Sequence, residues 1–338
     1  MVQKNTLKQF PVVKASGSHY EVGVAIGQSL AKPIADLLRM NAFIFEESYE
    51  NYLEEITPFL GQARTYFPKY IEELRGIANG AGVSFEELFL ANNREVADYN
   101  PNLLSGNHCT IIGIPVEHGY LVGHNEDWSQ SARAFLYVLD AVIDGNHIFG
   151  LNYAHEIMGS SVGINGWGLV QAINELSHQG SQLGVPKNFI ARAILDCRTL
   201  EEAERIMETI PRAAGFNHVL VAGQRLWNIE SSATDYVIEK IAHSRYVHTN
   251  HYVTRLRGID PGNTESKNRY DKVSRGLPEI ASVDDLIHML SDRSEPVVCR
   301  PETIGSVIFD TAKKDAYVAF GQPVPESYIK YAGVVSSL

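Results

Sequence analysis

The residues best suited to nucleophilic chemistry lie on two adjacent predicted strands. Cys109 lies just after a turn-like Ser-Gly-Asn segment and opens an apolar run that reaches Pro115. A second run begins at Tyr120 and ends in Glu126 and Asp127, so a hairpin would bring carboxylates next to the thiol. Cys109 is therefore a candidate nucleophile, and an ordinary buried cysteine is the alternative interpretation of the same residues.

Histidines form the second candidate group. His248 and His251 are three residues apart and His243 is near them, a spacing that a metal ion could use. No ligand motif completes this set, so hydrogen-bonded or surface histidines are the favoured interpretation, with a metal or ligand site as the alternative. The glycine-rich segment 163–168 precedes no predicted helix, which indicates a turn between strands and not a phosphate-binding loop.

The other two cysteines have different surroundings. Cys197 is at helical spacing from two isoleucines, which indicates a core position on a helix. Cys299 precedes a basic residue and is ambiguous. Three cysteines without a Cys-x-x-Cys pair indicate reduced thiols in a cytoplasmic protein that lacks structural zinc.

A thiol nucleophile needs a base, and the sequence offers two kinds. A Cys-His pair would require one particular histidine, but nothing distinguishes one among the 12 in the chain. Alternatively, a cut before Cys109 would free its α-amine, whose ordinary pKa of about 7.7–8.0 suits it to accept the thiol proton. A strand that begins at the nucleophile would present both groups at the edge of a sheet.

Composition excludes some classes of function. The chain has 338 residues, a net charge of −11 and no basic run, which argues against nucleic acid and anionic membranes as partners. No stretch approaches the roughly 18 apolar residues of a transmembrane helix. The first ten residues lack the apolar core of a signal peptide, so we expect no export.

Helix and strand signals place the hairpin in one α+β domain over residues 1–338. Capping-box sequences mark three predicted helix starts, at Ser18, Ser84 and Thr199, and a last helix is predicted to start at Ser282. The first hundred residues are mainly helical, and a helix from Pro68 is predicted to end at Gly80. Strands are predicted at 109–116, 120–125, 135–143, 147–154, 161–164, 168–173, 216–222, 226–230, 236–242, 245–249, 303–310 and 316–320. Without repeats or long linkers, these elements predict helices that cover antiparallel sheets.

Four segments, taken in order, resemble a known family. They are Asn107-His-Cys-Thr110, Gly123-His-Asn-Glu-Asp-Trp128, His248-Thr-Asn-His-Tyr252 and Val298-Cys-Arg300. The set resembles the autoproteolytic acyltransferase and amidohydrolase family of N-terminal-nucleophile hydrolases, which is isopenicillin N acyltransferase-like and related to choloylglycine hydrolases. The segments 17–23 and 163–174 are also similar, so the resemblance covers nearly the whole chain. Its most specific part is the Cys-Thr pair followed by an aspartate eighteen residues on (127 − 109).

The resemblance implies a four-layer αββα sandwich, with two antiparallel sheets between layers of helices. It also implies a precursor that cuts itself between His108 and Cys109 into chains 1–108 and 109–338. The family usually has glycine before the cysteine. The bulkier His108 would slow the strained rearrangement that self-cleavage requires.

The resemblance further implies a role for each matching residue. Cys109 would be the nucleophile, with its new amine as the base, and Asp127 would orient the new terminus. Asn250 would donate a hydrogen bond to the oxyanion, and Arg300 would position the carboxylate or the nucleophile. Trp128 would line the acyl pocket. The family implies no cofactor and no metal.

The sequence therefore predicts a cysteine amidohydrolase or acyltransferase that cleaves or forms small N-acyl amide bonds through an acyl-Cys109 thioester. Acyl-CoA as the acyl donor is implied only by the best-known relative. Two alternatives remain: an unprocessed, non-catalytic or metal- or ligand-binding protein on the same fold, and a Cys-His amidase that is active without cleavage. The identity of the substrate and the oligomeric state are not indicated.

Overall fold

Two β-sheets form the centre of the computed structural model, which describes residues 8–45, 49–93, 108–176, 180–259 and 262–335. The first sheet has eight strands, in the spatial order β1 (Val12–Gly17), β4 (Leu136–Ile143), β5 (Asn146–Tyr153), β6 (Val162–Asn165), β7 (Val170–Asn174), β8 (Asn217–Ala222), β9 (Arg225–Ser231) and β10 (Tyr236–Ile241). The second has six, in the order β11 (Tyr246–His248), β2 (His108–Val116), β3 (Gly119–Asp127), β12 (Thr303–Asp310), β13 (Asp315–Phe320) and β14 (Ile329–Tyr331). Neighbouring strands are antiparallel except that β1 is parallel to β4.

Helices cover the outer faces of both sheets. Their bounds are α1 (His19–Ser29), α2 (Ala31–Phe45), α3 (Tyr49–Glu55), α4 (Thr57–Tyr66), α5 (Pro68–Ala81), α6 (Phe85–Ala91), α7 (Lys187–Leu195), α8 (Leu200–Thr209), α9 (Thr264–Gly276) and α10 (Val283–Leu290). Strands of the eight-stranded sheet contact α1, α7 and α8, and strands of the six-stranded sheet contact α9 and α10. This layer order confirms the predicted αββα sandwich. None of the helices in the described ranges combines the length and the apolarity that crossing a membrane requires.

The two sheets pack face to face, and side chains on each strand alternate between this interface and the outer helices. The ring of Phe149 on β5 lies 6.4 Å from that of Phe309 on β12. On β3, Val122 belongs to the core between the sheets, whereas its neighbour Leu121 belongs to a second core under α9 and α10. This alternation decides which face of the second sheet each site residue occupies.

The helix boundaries follow the capping signals with one exception. All four predicted starts are confirmed as N-caps, at Ser18, Ser84, Thr199 and Ser282. The predicted end of α5 at Gly80 is wrong, because the helix continues to Ala81 and Gly82 is the left-handed cap with φ 69°. A Cβ atom at Gly80 would lie 2.3 Å from the carbonyl oxygen of Val24, so this glycine serves the close packing of α1 and α5.

A buried ionic network joins helices from both sides of residue 108. Glu73 on α5 contacts His19 Nδ1 on α1 at 2.6 Å and Arg192 Nε on α7 at 3.0 Å. Arg192 also donates to Asp196 Oδ1 at 2.8 Å. Burial acts to raise the pKa of Glu73, but Arg192 and His19 together outweigh it and lower the pKa. Separating a buried ion pair leaves charges without partners, so this network holds the early helices on the rest of the chain.

Candidate active site

The β2–β3 hairpin brings Cys109 opposite Glu126. Both side chains face the eight-stranded sheet, as does Ile111 two residues along β2, which belongs to the core between the sheets. The thiol lies 3.6 Å from Glu126 Oε1, and Cys109 is only 5% exposed. The carboxylate in contact with the thiol is therefore that of Glu126 and not that of Asp127.

The thiol is a weak acid in this environment. Burial raises the pKa of Cys109 well above its ordinary value of 9.0, and the negative charges of Glu126 and Asp127 raise it further. A hydrogen bond from the backbone of Asp127 and the charge of Arg269 lower the pKa by less. The thiol is therefore protonated at neutral pH and needs a base before it can attack.

Three side chains hold the backbone of Cys109. Its N–H donates to Asn250 Oδ1 at 2.7 Å. Its carbonyl oxygen accepts from Arg269 at 2.7 Å and from Asn174 Nδ2 at 3.0 Å. Arg269 also donates to Asn250 Oδ1 at 3.1 Å, which links two of the three. These residues lie on β7, on α9 and after β11, so distant parts of the sequence converge on one residue.

Asp127 is next to this site, but its carboxylate faces the other side of the sheet. It lies on the face of Thr110, whose hydroxyl contacts Arg269 on α9. Asp127 Oδ1 accepts from Thr303 at 2.6 Å, and its buried Oδ2 has no hydrogen-bond partner among the described residues. Burial raises the pKa of Asp127 to about 6, although Arg269, Thr303 and Arg300 act to lower it.

Glu126 is held by hydrogen-bond donors on both carboxylate oxygens. Its Oε1 accepts from the Tyr153 hydroxyl at 3.0 Å and from the Cys109 thiol. Its Oε2 accepts from the Ser161 hydroxyl and lies 3.0 Å from His124 Nε2. Burial and the charge of Glu126 raise the pKa of Tyr153 well above 10, so its hydroxyl remains a donor.

Arg300 and Trp128 lie around the site and not at the thiol. Arg300 pairs with Glu265 and Glu302, each at 3.5 Å, and it reaches the site through its charge, which acts on Asp127. The half-buried Trp128 packs edge-on against Tyr153 with 5.1 Å between ring centroids. His108 begins β2 opposite Asp127 in the ladder.

The candidate metal histidines do not come together. His248 bridges Asn174 Oδ1 and Glu230 Oε1, whereas His251 contacts Ser266. His243 lies elsewhere, with its ring against Tyr120. Within the described part of the chain, one group of potential ligands is close enough for a metal ion, with ligand atoms within 4.8 Å of one another: Cys109, His124 and Glu126.

Sequence reasoning missed two residues that contact Cys109. Asn174 is only the end of a family-like segment in the sequence analysis, and Arg269 is not among its candidate residues. A signal for Arg269 exists, because Ser266, Arg269 and Val273 are the buried residues of α9 and follow helical spacing. An arginine in line with a valine on a buried face indicates an internal partner.

Comparison with known proteins places most of the chain in one family. Residues 116–325 match the family described as acyl-coenzyme A:6-aminopenicillanic acid acyl-transferase. The chain is 28% identical over 222 residues to β-alanyl-dopamine/carcinine hydrolase of Drosophila melanogaster, a match that covers 59% of this chain and 57% of that protein. The chain therefore spans little more than half the length of this relative.

Two further proteins are similar over longer ranges. The 40 kDa form of acyl-coenzyme A:6-aminopenicillanic-acid-acyltransferase from Emericella nidulans is 23% identical over 337 residues, which cover 92% of each protein. The solved structure of penicillin V acylase from Agrobacterium tumefaciens is 12% identical with a TM-score of 0.46, and the match covers 68% of this chain and 89% of that one.

Proposed function

Because the chain belongs to the acyl-coenzyme A:6-aminopenicillanic acid acyl-transferase family, we propose that it is an amide hydrolase or acyltransferase whose nucleophile is Cys109. One observation carries this proposal: the backbone N–H and carbonyl of Cys109 are both held by side chains from distant elements. The N–H and carbonyl of a buried strand residue are usually bonded to the backbone of a neighbouring strand, whereas side chains take that place here. The arrangement suits a residue whose backbone nitrogen takes part in the chemistry.

The first reaction in this proposal is self-cleavage. Sγ of Cys109 attacks the carbonyl carbon of His108, and the peptide C–N bond breaks as the nitrogen takes a proton. Water then hydrolyses the thioester, which releases the carboxyl end of chain 1–108 and leaves Cys109 with a free amine. Asp127 lies opposite His108 in the ladder, which supports a role in orienting the new terminus.

The new amine is then the base that the weakly acidic thiol needs. It accepts the thiol proton, and the thiolate attacks the amide carbon of the substrate. The backbone N–H of Asp127 and the side-chain amide of Asn250 are the proposed donors to the oxyanion. The proton passes to the leaving amine, and the acyl-Cys109 thioester transfers its acyl group to water or to another amine.

The remaining site residues have supporting roles in this proposal. Arg269 holds the carbonyl of Cys109, and Arg300 tunes Asp127 through its charge. Trp128 borders the acyl pocket through its contact with Tyr153. Chain 1–108 stays bound after the cut because its Glu73 forms a buried ion pair with Arg192 of chain 109–338.

We propose the substrate class from the names of the relatives. One relative is named as a hydrolase of β-alanyl-dopamine and carcinine, and the other as an acyl-coenzyme A transferase. We take hydrolysis of a small N-acyl amide as the default activity, with acyl-CoA as an alternative acyl donor. A cytoplasmic location and a cofactor-free reaction remain predictions.

Intact-mass analysis of the purified protein tests the proposal. We expect two masses, for residues 1–108 and 109–338, in wild type and in the matched control Cys197→Ala, which also alters a buried cysteine. Cys109→Ala should give one full-length mass and no amidase activity. Amidase activity in Cys109→Ala would exclude this nucleophile. An active wild type of full length would instead favour a Cys-His amidase that uses His124.

A metal-dependent alternative has one observation in its favour, the convergence of Cys109, His124 and Glu126. Two of these atom pairs, 3.6 Å and 3.0 Å apart, are near the separations that a tetrahedral zinc site requires. Metal analysis of the active protein separates the two functions. A stoichiometric metal that His124→Gln removes together with activity would favour the metal enzyme.

A further inference from the structure

A buried carboxylate beside a thiol nucleophile is chemically unfavourable for that nucleophile. Glu126 is only 6% exposed and its charge raises the pKa of the Cys109 thiol. An apolar side chain at this position would leave the thiol more reactive. A charged residue in this place therefore indicates a function other than activation of the sulfur.

The hydrogen bonds of Glu126 change when the enzyme is acylated. In the free enzyme, Oε1 accepts from Tyr153 and from the thiol of Cys109. A thioester sulfur carries no hydrogen, so acylation removes the second donor. The Oε1 atom keeps its bond from Tyr153 but then faces the acyl group with one acceptor position unfilled, which is unfavourable in a buried site. A donor on the acyl group itself would fill that position.

The distribution of charge specifies what kind of donor fits. Glu156 is a second carboxylate near Tyr153, where both glutamates act on the phenol. The two arginines of the site are turned to the other face of the sheet, where they pair with Glu265. Within the described residues, the only ion-pair partner of Glu126 is His124. The acyl side of the thiol is therefore negative, and the chain as a whole carries a net charge of −11.

We infer that the acyl group transferred through Cys109 carries an ammonium group one or two carbons beyond its carbonyl, and that Glu126 binds this ammonium. This inference rests on the proposed function, since it requires the Cys109 thioester. The Oε1 atom lies 3.6 Å from the sulfur, within reach of an amine on so short an acyl chain. The substrates are then aminoacyl amides, and neutral acyl groups of the same length are poor substrates.

Two amides of one chromogenic aniline test the inference. The β-alanyl amide carries the ammonium, and the butanoyl amide replaces it with a methyl group of similar size. Processed wild-type protein should hydrolyse the β-alanyl amide with a kcat/KM roughly 10- to 100-fold higher, as expected for one charge-assisted hydrogen bond. Equal kcat/KM values in wild type would overturn the inference without any variant.

Variants at Glu126 then assign the preference to this residue. In Glu126→Gln, the ratio of the two kcat/KM values should fall to within about threefold of one, because the charge is gone. This ratio does not depend on the fraction of folded enzyme, since both substrates are measured on one preparation. Glu126→Asp keeps the charge and should keep a preference, and Glu156→Gln, which removes the other carboxylate near Tyr153, should lower the preference less than Glu126→Gln does. A tenfold preference that survives in Glu126→Gln would refute the assignment.

Failure of the inference differs from failure of the proposed function. If the butanoyl amide is the better substrate and Cys109→Ala is inactive, the assignment of Cys109 as the nucleophile is supported and the ammonium site is refuted. If Cys109→Ala hydrolyses either amide, or if cleaved wild type hydrolyses neither, the proposed Cys109 thioester and the ammonium site are both refuted.

Discussion

Replacing Asp127 by asparagine in a chain that cannot cut itself tests the electrostatics of the site. The Cys109→Ala background keeps the chain whole. Burial raises the pKa of Asp127 from 3.8 to about 6, so the folded state binds its proton more tightly than the unfolded state does. Stability from this group is therefore complete below pH 3.8 and is lost as pH rises through 6. At neutral pH the ionised carboxylate costs stability compared with a neutral side chain.

The expected size follows from the two pKa values. A shift from 3.8 to about 6 corresponds to a cost of about 3 kcal/mol at pH 7.5 and about 1.6 kcal/mol at pH 5. Asparagine would also place an amide where Oδ2 now lacks a partner, which costs on the order of 1–3 kcal/mol. That cost does not depend on pH. The difference in unfolding free energy between the two proteins should therefore move by about 1.4 kcal/mol in favour of asparagine from pH 5 to 7.5.

Urea denaturation at several pH values between 5 and 7.5 measures this difference. Cys109→Ala is compared with Cys109→Ala/Asp127→Asn at each pH, with the slope of the denaturation curve checked for equality. Thr303→Val in the same background is a matched control, because it removes a hydrogen bond that lowers the pKa of Asp127 and should steepen the pH dependence. A difference that stays constant across this range, or that moves in the opposite direction, would refute the burial argument for Asp127.

Three other substitutions have outcomes that the contacts determine. Asn250→Ala should lower kcat for acylation roughly 100- to 1000-fold with little change in KM, measured by pre-steady-state burst kinetics; an unchanged burst would remove Asn250 from the oxyanion site. Arg269→Met should leave the Cys109 carbonyl short of a donor and destabilise the protein by about 2–3 kcal/mol in urea, and Arg269→Lys should not restore it because lysine lacks the forked geometry. Arg192→Met should destabilise by about 3–5 kcal/mol because Glu73 stays buried without its arginine; a loss under 1 kcal/mol would contradict the role of the network.

The sequence predicted the layered fold because its signals are local. Two apolar runs joined by a short turn with a glycine marked the hairpin of β2 and β3, and hydroxyl N-caps marked four helix starts. Errors occurred where tertiary contacts override local signals. Gly80 resembles a helix cap, but its lack of a Cβ serves the contact with α1. Short β14 was not predicted, because its apolar residues are too few for a periodic pattern.

The candidate site was predictable only where residues lie near one another in sequence. Cys109 and the carboxylates of β3 are joined by a hairpin, whose register follows from its short turn. Arg269 reaches Cys109 across 160 residues of sequence, and its position on a buried helix face indicates an internal partner without indicating which residue that partner is. Arg300 was expected at the nucleophile from the family resemblance, but Arg269 is the arginine that touches its backbone.

The register of one hairpin separates the two tasks of the proposed enzyme. Cys109 and Glu126 face the other sheet, where the acyl group would lie, whereas Asp127 faces α9 on the side of the arginines. A slip of one residue between β2 and β3 would exchange these faces and bring Asp127 to the acyl side. The slip is prevented because Val122 and Leu121 belong to different cores, so every side chain of β3 would move into the wrong one. The packing of apolar residues far from the sulfur thus decides which carboxylate would meet the acyl group and which would meet the new amine of the proposed enzyme.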